Sequence, residues 1–328
     1  PASISGVDLD LASFQQSIQS KLDGGSTAFP SNIVTSIDLA YGTINGDSSF
    51  SRFCSGGVHL PDTFGVGKGF TDALYMTGEE VAGGKAYALN CATSTLWEIS
   101  AFGTHPWENF APIDTGNSTH TAVALWSDNG GTGGDFFMIY VGVKNLSGDF
   151  LARNGLSGGT IYYFDPVVAG NPNGLSDGTE DFVLTTSTTG AESEAKLEDI
   201  HTNPANGKQL VFSAQNNGLY IMDVDIQFVG GNVDPGNSTV SISNALTDDN
   251  SVSTFDNPDN TTWSPSGHIY VQEDGGSSPA QEIWSLLPSD PSGTLTRVGQ
   301  GNTETSGIID VSELAGFHPN TVFLFSVM

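Results

Sequence analysis

The sequence predicts an all-β fold, a single β-propeller preceded by a short helix, and three observations carry that expectation. Short runs rich in β-branched and aromatic residues recur from about residue 70 to the C-terminus. Clusters of Gly, Asn, Asp and Pro separate them, as turn chemistry requires. Helical periodicity is confined to the beginning of the chain.

The helix is read over Asp8 to Leu22. Its apolar residues Leu11, Phe14, Ile18 and Leu22 fall three and four apart, one amphipathic face, and Gly24-Gly25 ends it. The predicted strands include Ala73–Thr77, Lys85–Leu89, Thr95–Ile99, Thr121–Trp126, Phe136–Val143 and Thr160–Phe164. Others are Gln209–Ser213, Gly218–Met222, His268–Gln272, Glu282–Leu286 and Val322–Ser326. Hairpins built on a polar turn, a Gly and a strand return at intervals of roughly 40 to 50 residues, a spacing suited to propeller blades. The strands are too many for one simple sandwich. The chain has 328 residues and no linker-like stretch, so one domain over residues 1–328 is expected, with residues 1–50 as a helical and extended segment packed on it.

Charge narrows the function. Asp and Glu number 37 against 9 Lys and Arg, a formal net charge of −28. Nucleic acid is excluded as a partner, because phosphate neutralisation needs clustered cations. Most of these acids read as a solvated surface, and a subset as cation ligands, calcium first. No run of about 18 apolar residues is present, so no membrane-spanning helix is expected. A start at Pro1 points to a processed, secreted or periplasmic chain. Sequons begin at Asn117, Asn145, Asn237 and Asn260. Cys54 and Cys91 are the two cysteines; they form one bridge or stay as thiols.

Four segments hold candidate chemistry. Cys54 sits in a Gly-rich loop and is followed, after a strand, by Glu79 and Glu80. A thiolate with carboxylates suits a transition metal, and carboxylates alone suit calcium. Trp107-Glu108-Asn109 offers a carboxylate and an amide beside an indole. Lys196-Leu-Glu198-Asp-Ile-His201 offers an acid next to one of the few cations. Asn257-Pro-Asp259-Asn260 clusters hard oxygen ligands, and equally builds an ordinary turn. No Gly-x-Ser-x-Gly, phosphate-binding Gly-rich Lys loop or His-Glu-x-x-His occurs, and the six histidines are widely separated.

Taken in order, these segments resemble the PhoX-type alkaline phosphatases and their shorter propeller relatives. Those proteins carry a Cys-Ala/Ser-Gly-Gly loop followed by paired glutamates, a Glu on a later loop, and a Glu two residues after a cation. A Pro-Asp-Asn turn and a C-terminal Glu-x-x-Gly follow, like Glu304 to Gly307 here. The resemblance implies iron held by Cys54 and Glu108, and iron or calcium held by Glu79, Glu198 and Glu304; Glu80 and Asp259 are metal candidates beside them from the residues themselves. It implies Lys196 as the phosphate contact, where the family has an arginine, and a small phosphorylated substrate cleaved as a monoester. The alternative is a non-catalytic, calcium-loaded propeller whose partner is another extracellular surface.

Overall fold

The computed structural model describes residues 4–25, 34–40, 50–128, 135–168, 175, 178–215, 217–247, 255–274, 281–290, 294–301 and 305–327. From Phe53 onward the described chain runs as four-stranded antiparallel meanders. Blade one comprises Phe53–His59, Leu74–Glu79, Ala86–Asn90 and Thr95–Glu98. Blade two comprises Trp107–Ile113, His120–Ser127, Met138–Val143 and Gly159–Pro166. Blade three comprises Leu197–Thr202, Gln209–Ala214, Gly218–Asp225 and Thr239–Thr247. Blade four comprises Pro258–Trp263, Ile269–Glu273, Gln281–Leu286 and Leu295–Gly301. Thr305–Asp310 and Phe323–Val327 form a fifth, two-stranded unit. The strand Thr179–Thr185 pairs with Gly159–Pro166 on one side and Thr239–Thr247 on the other, joining the outer edges of blades two and three.

The first strand of each blade is the inner one. These five strands line one cavity of about 510 Å³, to which they contribute among others Ser55, Asn109, Asp199, Thr261 and Ile308. The fold is therefore a β-propeller, as the strand-and-turn rhythm predicts.

Aromatic layers bond the blades face to face. Phe102, Trp107, Phe110 and Tyr140 fill the space between blades one and two. Trp126, Phe137, Phe164, Phe212 and Tyr220 fill that between two and three. Val211, Leu219, Trp263, Ile269 and Trp284 fill that between three and four. Buried on both faces, strands such as His120–Ser127 carry near-continuous apolar runs rather than alternation. Gly78 lies where blade one presses on blade two. A Cβ there would stand 2.3 Å from the Cβ of Trp107, so only glycine fits.

The N-terminal helix spans Leu11–Leu22, shorter at its start than the periodicity implies. Residues 4–9 pair instead with 34–40, and the Asp10 carboxylate caps the helix by accepting from Ser13 N at 2.6 Å. Only the middle of the predicted stripe is buried. Phe14 and Ile18 pack on Val311, Ala315 and Val322, while Leu11 and Leu22 at the two ends stay exposed.

Every inner strand breaks register at one equivalent place. Cys54-Ser55 stand opposite the single residue Gly78, and Glu108-Asn109 opposite Trp126. Glu198-Asp199 stand opposite Ser213, Asp259-Asn260 opposite Gln272, and Gly307-Ile308 opposite Phe325. Each is a β-bulge, two residues against one, which bends the strand and re-aims its side chains.

Candidate metal centre

The bulges place the chemistry. Their first residues in blades one to four are Cys54, Glu108, Glu198 and Asp259, four of the residues singled out from sequence. A second set follows from the neighbouring strand. In blades one to four the residue just past the second strand donates its backbone N–H to the carbonyl two residues before the bulge. These bonds are Glu80 to Arg52 (2.8 Å), Asp128 to Pro106 (2.9 Å), Gln215 to Lys196 (3.0 Å) and Asp274 to Asn257 (3.0 Å). One local geometry, repeated around the ring, thus brings Glu80, Asp128 and Asp274 to the same mouth as the bulge acids.

Ligand atoms of Cys54, Glu80 and Glu108 lie within 4.8 Å of one another. Glu108 is 1% exposed, and its Oε1 has no hydrogen-bond partner among the described residues; Glu80 Oε2 is likewise buried and unpartnered. Cys54 keeps solvent access and forms no disulfide; Cys91 is also free. Burial pushes the Cys54 thiol up, the Glu108 carboxylate beside it pushes further, and Asp259 and Glu198 add to both. Glu108 is held well above the ordinary carboxylate range, first by burial, then by Glu198 and Asp259, with partial relief from a Cys54 hydrogen bond.

Glu198 is raised to about 7, chiefly by burial; Asp128 and Asp274 add to the rise and Lys196 opposes it. Lys196 Nζ lies 2.9 Å from Asp128 Oδ2 and 2.9 Å from Glu198 Oε1. Burial alone favours its neutral amine, but the two carboxylates more than offset that and hold it as a cation. Its backbone is left-handed, φ 57°, a conformation costing a non-glycine residue about 1–2 kcal/mol. Arg52, in the matching position of blade one, pairs with Glu80.

These residues fit a cation. A buried carboxylate oxygen without a donor costs roughly 1–3 kcal/mol or more when charged. Here six carboxylates, Glu80, Glu108, Asp128, Glu198, Asp259 and Asp274, converge beside Cys54 on a mouth where, among the described residues, Arg52 and Lys196 are the cations. Carboxylate oxygens match calcium, and the Cys54 sulfur adds a donor suited to a transition metal such as iron.

Other expectations fare differently. The structure separates the Glu79-Glu80 pair. Glu79 turns from the cluster and accepts from Ser51 N (2.7 Å), Lys85 N (3.2 Å) and Tyr87 Oη (3.2 Å). Glu273, the equivalent last residue of the second strand in blade four, is used the same way by Asp256 N, Glu282 N and Trp284 Nε1. The Trp107 ring is core, packed on Phe102 and Phe110. Glu304 lies outside the described residues. Arg52 and Asp128 have no reading from sequence; Asp199 and Asp274 fall inside candidate segments there without a role of their own. The signal that finds Asp199 is the repeat: Trp-Glu-Asn, Leu-Glu-Asp and Pro-Asp-Asn each open an inner strand with an acid followed by Asn or Asp.

No protein-family model matches the chain, and no curated protein matches it. Solved structures do. PhoX of Pseudomonas fluorescens, in complex with the transition-state analogue vanadate, superposes with a TM-score of 0.51 at 16% identity, over 68% of this chain and 50% of PhoX. The chain thus matches about half the length of that enzyme, and the likeness is one of fold. A putative 6-phosphogluconolactonase of Bacteroides fragilis gives a TM-score of 0.31 at 14% identity, over 70% of this chain and 68% of that one. The Cps50 (Swd1) propeller domain of Myceliophteria thermophila gives 0.32 at 11% identity, over 79% and 91%.

Proposed function

We propose that this chain is a secreted or periplasmic propeller, one domain over residues 1–328, that holds calcium, with iron at the thiolate, and hydrolyses phosphate monoesters there. The observation that carries the reading is the convergence of Cys54, Glu80 and Glu108 within 4.8 Å, with Glu80 Oε2 and Glu108 Oε1 buried and lacking a hydrogen-bond donor among the described residues. Those atoms, with Glu198 and Asp259 from the next inner strands, would be the ligands. Glu79 would act on the ligand strand through its hydrogen bonds, and Glu304, outside the described residues, would be a further carboxylate ligand. When bound, the cations supply positive charge against the phosphate oxygens and lower the cost of the charge that builds in the transition state.

The chain's own residues do the rest. An ammonium has three donors. Lys196 donates one to Asp128, sits at ion-pair distance from Glu198 Oε1, and keeps a donor for an anion at the mouth. That single point contact orients a phosphate less strictly than an arginine fork. In the overall reaction water adds to phosphorus, the ester P–O bond breaks, and the leaving alcohol takes a proton.

An aryl phosphate assay on purified protein, supplied with calcium and iron, tests the proposal, with elemental analysis alongside. Turnover is expected, abolished by Glu108→Ala together with the metal. Lys196→Ala should raise KM more than it lowers kcat. Bound calcium without turnover under these conditions would leave a non-catalytic, calcium-loaded module that meets another extracellular surface.

A further inference from the structure

We infer that Asp199 is the positioning residue of this centre: flanked by Asn109 and Asn260, it fixes the spacing of Glu108, Glu198 and Asp259 without touching the cation. The inference rests on the cation-binding reading above and adds a division of labour within each bulge. The first bulge residue is a ligand. The second, in blades two to four, is a staple between blades.

The contacts are specific. Asp199 Oδ1 accepts from Asn109 Nδ2 of blade two and from Ile200 N at 2.9 Å; Oδ2 accepts from Thr261 N of blade four at 2.9 Å. One carboxylate therefore ties three consecutive inner strands at the level of their ligands. Asn109 is fixed in turn, because its Oδ1 accepts from Phe110 N at 2.7 Å. Asn260 carries the chain onward, its Oδ1 accepting from Ser306 Oγ at 2.7 Å and from Gly307 N in the fifth unit. Ser213, the residue opposite the blade-three bulge, donates to the carbonyl of Asp259.

An acceptor-only group is needed at position 199. N–H donors reach both oxygens, so an amide in its place must set its own N–H against one of them. Asp199 is 8% exposed, and three N–H groups already occupy its oxygens, which leaves it little capacity for a cation. Outer partners of this kind typically govern metal affinity 10- to 100-fold.

Calcium titration calorimetry on the full chain at pH 8 tests this with two substitutions. Asp199→Asn keeps shape but sets an N–H against either Thr261 N or the Asn109 and Ile200 donors. Thr202→Val removes a different buried bond between blades three and two, Thr202 Oγ1 to the Pro112 carbonyl at 2.6 Å, deeper along the same strand. Asp199→Asn should weaken calcium binding by about 10- to 100-fold. Thr202→Val should leave the affinity unchanged while lowering the melting temperature. Equal affinity in Asp199→Asn and wild type overturns the inference, as does an equal loss in both variants, which would mean general loosening of the ring. If Asp199→Asn does not fold, Asn109→Ala replaces it. That variant leaves Asp199 its two backbone donors and should weaken calcium binding in the same direction; an unchanged affinity overturns the inference. A wild type that takes up no calcium sinks the cation-binding reading and the inference together, whereas intact affinity in the variants sinks the inference alone.

Discussion

If the centre holds calcium as proposed, lowering the pH should strip it far above the range where ordinary carboxylate sites lose it. Glu198 carries a pKa of about 7 against an ordinary 4.5, raised chiefly by burial. The folded, metal-free state therefore favours its protonated form, and that proton must leave as the cation enters. At pH 5.5 the carboxyl is about 97% protonated, so apparent affinity falls roughly 30-fold relative to pH 8. A site of unperturbed carboxylates would lose only about 10% over the same interval. Glu108 and the Cys54 thiol, both pushed upward, add to the loss in the same direction.

A roughly 30-fold change is about 2 kcal/mol, so at saturating calcium the stabilisation it confers should shrink by at least that much between pH 8 and 5.5. For a chain of this size that is on the order of 3 °C in Tm. The calcium increment is the diagnostic quantity, not the metal-free melting curve. Glu198 alone costs the metal-free fold stability as pH rises from about 4.5 to 7, because the unfolded chain ionises first. His59, pushed down to about 3 by burial, acts oppositely: the unfolded chain takes up its proton first as pH falls below about 6.5. Because His59 is no ligand, its contribution cancels between calcium-loaded and calcium-free melts. Differential scanning calorimetry with calcium or a chelator at pH 5.5, 6.5, 7.5 and 8.5 reads the increment. An increment that is flat across this range refutes the reasoning.

Two further predictions concern the frame of the site. Glu79→Gln removes one of two acceptor oxygens that hold Ser51, Lys85 and Tyr87; it should cost about 1–3 kcal/mol while metal content by elemental analysis stays at the wild-type value. Gly78→Ala drives a methyl into Trp107, whose neighbour is Glu108; chemical denaturation should show a loss of about 1–3 kcal/mol or more, with weakened calcium binding beside it.

Much of the ring was legible because strands separated by turn residues leave a local signature, and four bulge residues, Cys54, Glu108, Glu198 and Asp259, were picked out individually. Their common geometry was not. A bulge inserts one residue into a pairing whose partner lies elsewhere in the sequence, so alternation along one strand does not reveal it. The same blindness left Glu79 and Glu80 undivided. Adjacent strand residues face opposite sides, and which one faces the mouth depends on the pairing of Phe53 with Glu79, a property of two strands together. Arg52 and Asp128 were missed because their roles come from tertiary hydrogen bonds rather than from any motif. The helix was overextended toward Asp8 because apolar spacing does not register that a carboxylate at Asp10 caps the turn and that the preceding backbone pairs as a strand.

The dispersal of the proposed ligands has a consequence for how the protein would acquire a cation. Residues 54, 108, 198 and 259 become neighbours only after three long loops have closed, so contact order at the centre is high. A nascent chain carrying the first blades holds two or three of the anionic groups at no fixed separation, with nothing to set them apart from the rest of an acidic polymer. On the cation-binding reading the cation would be the last part to arrive, and its contacts would be absent from the folding transition state. Calcium should accordingly leave the folding rate nearly unchanged and slow unfolding, making the metal a latch on the finished ring rather than a seed for it.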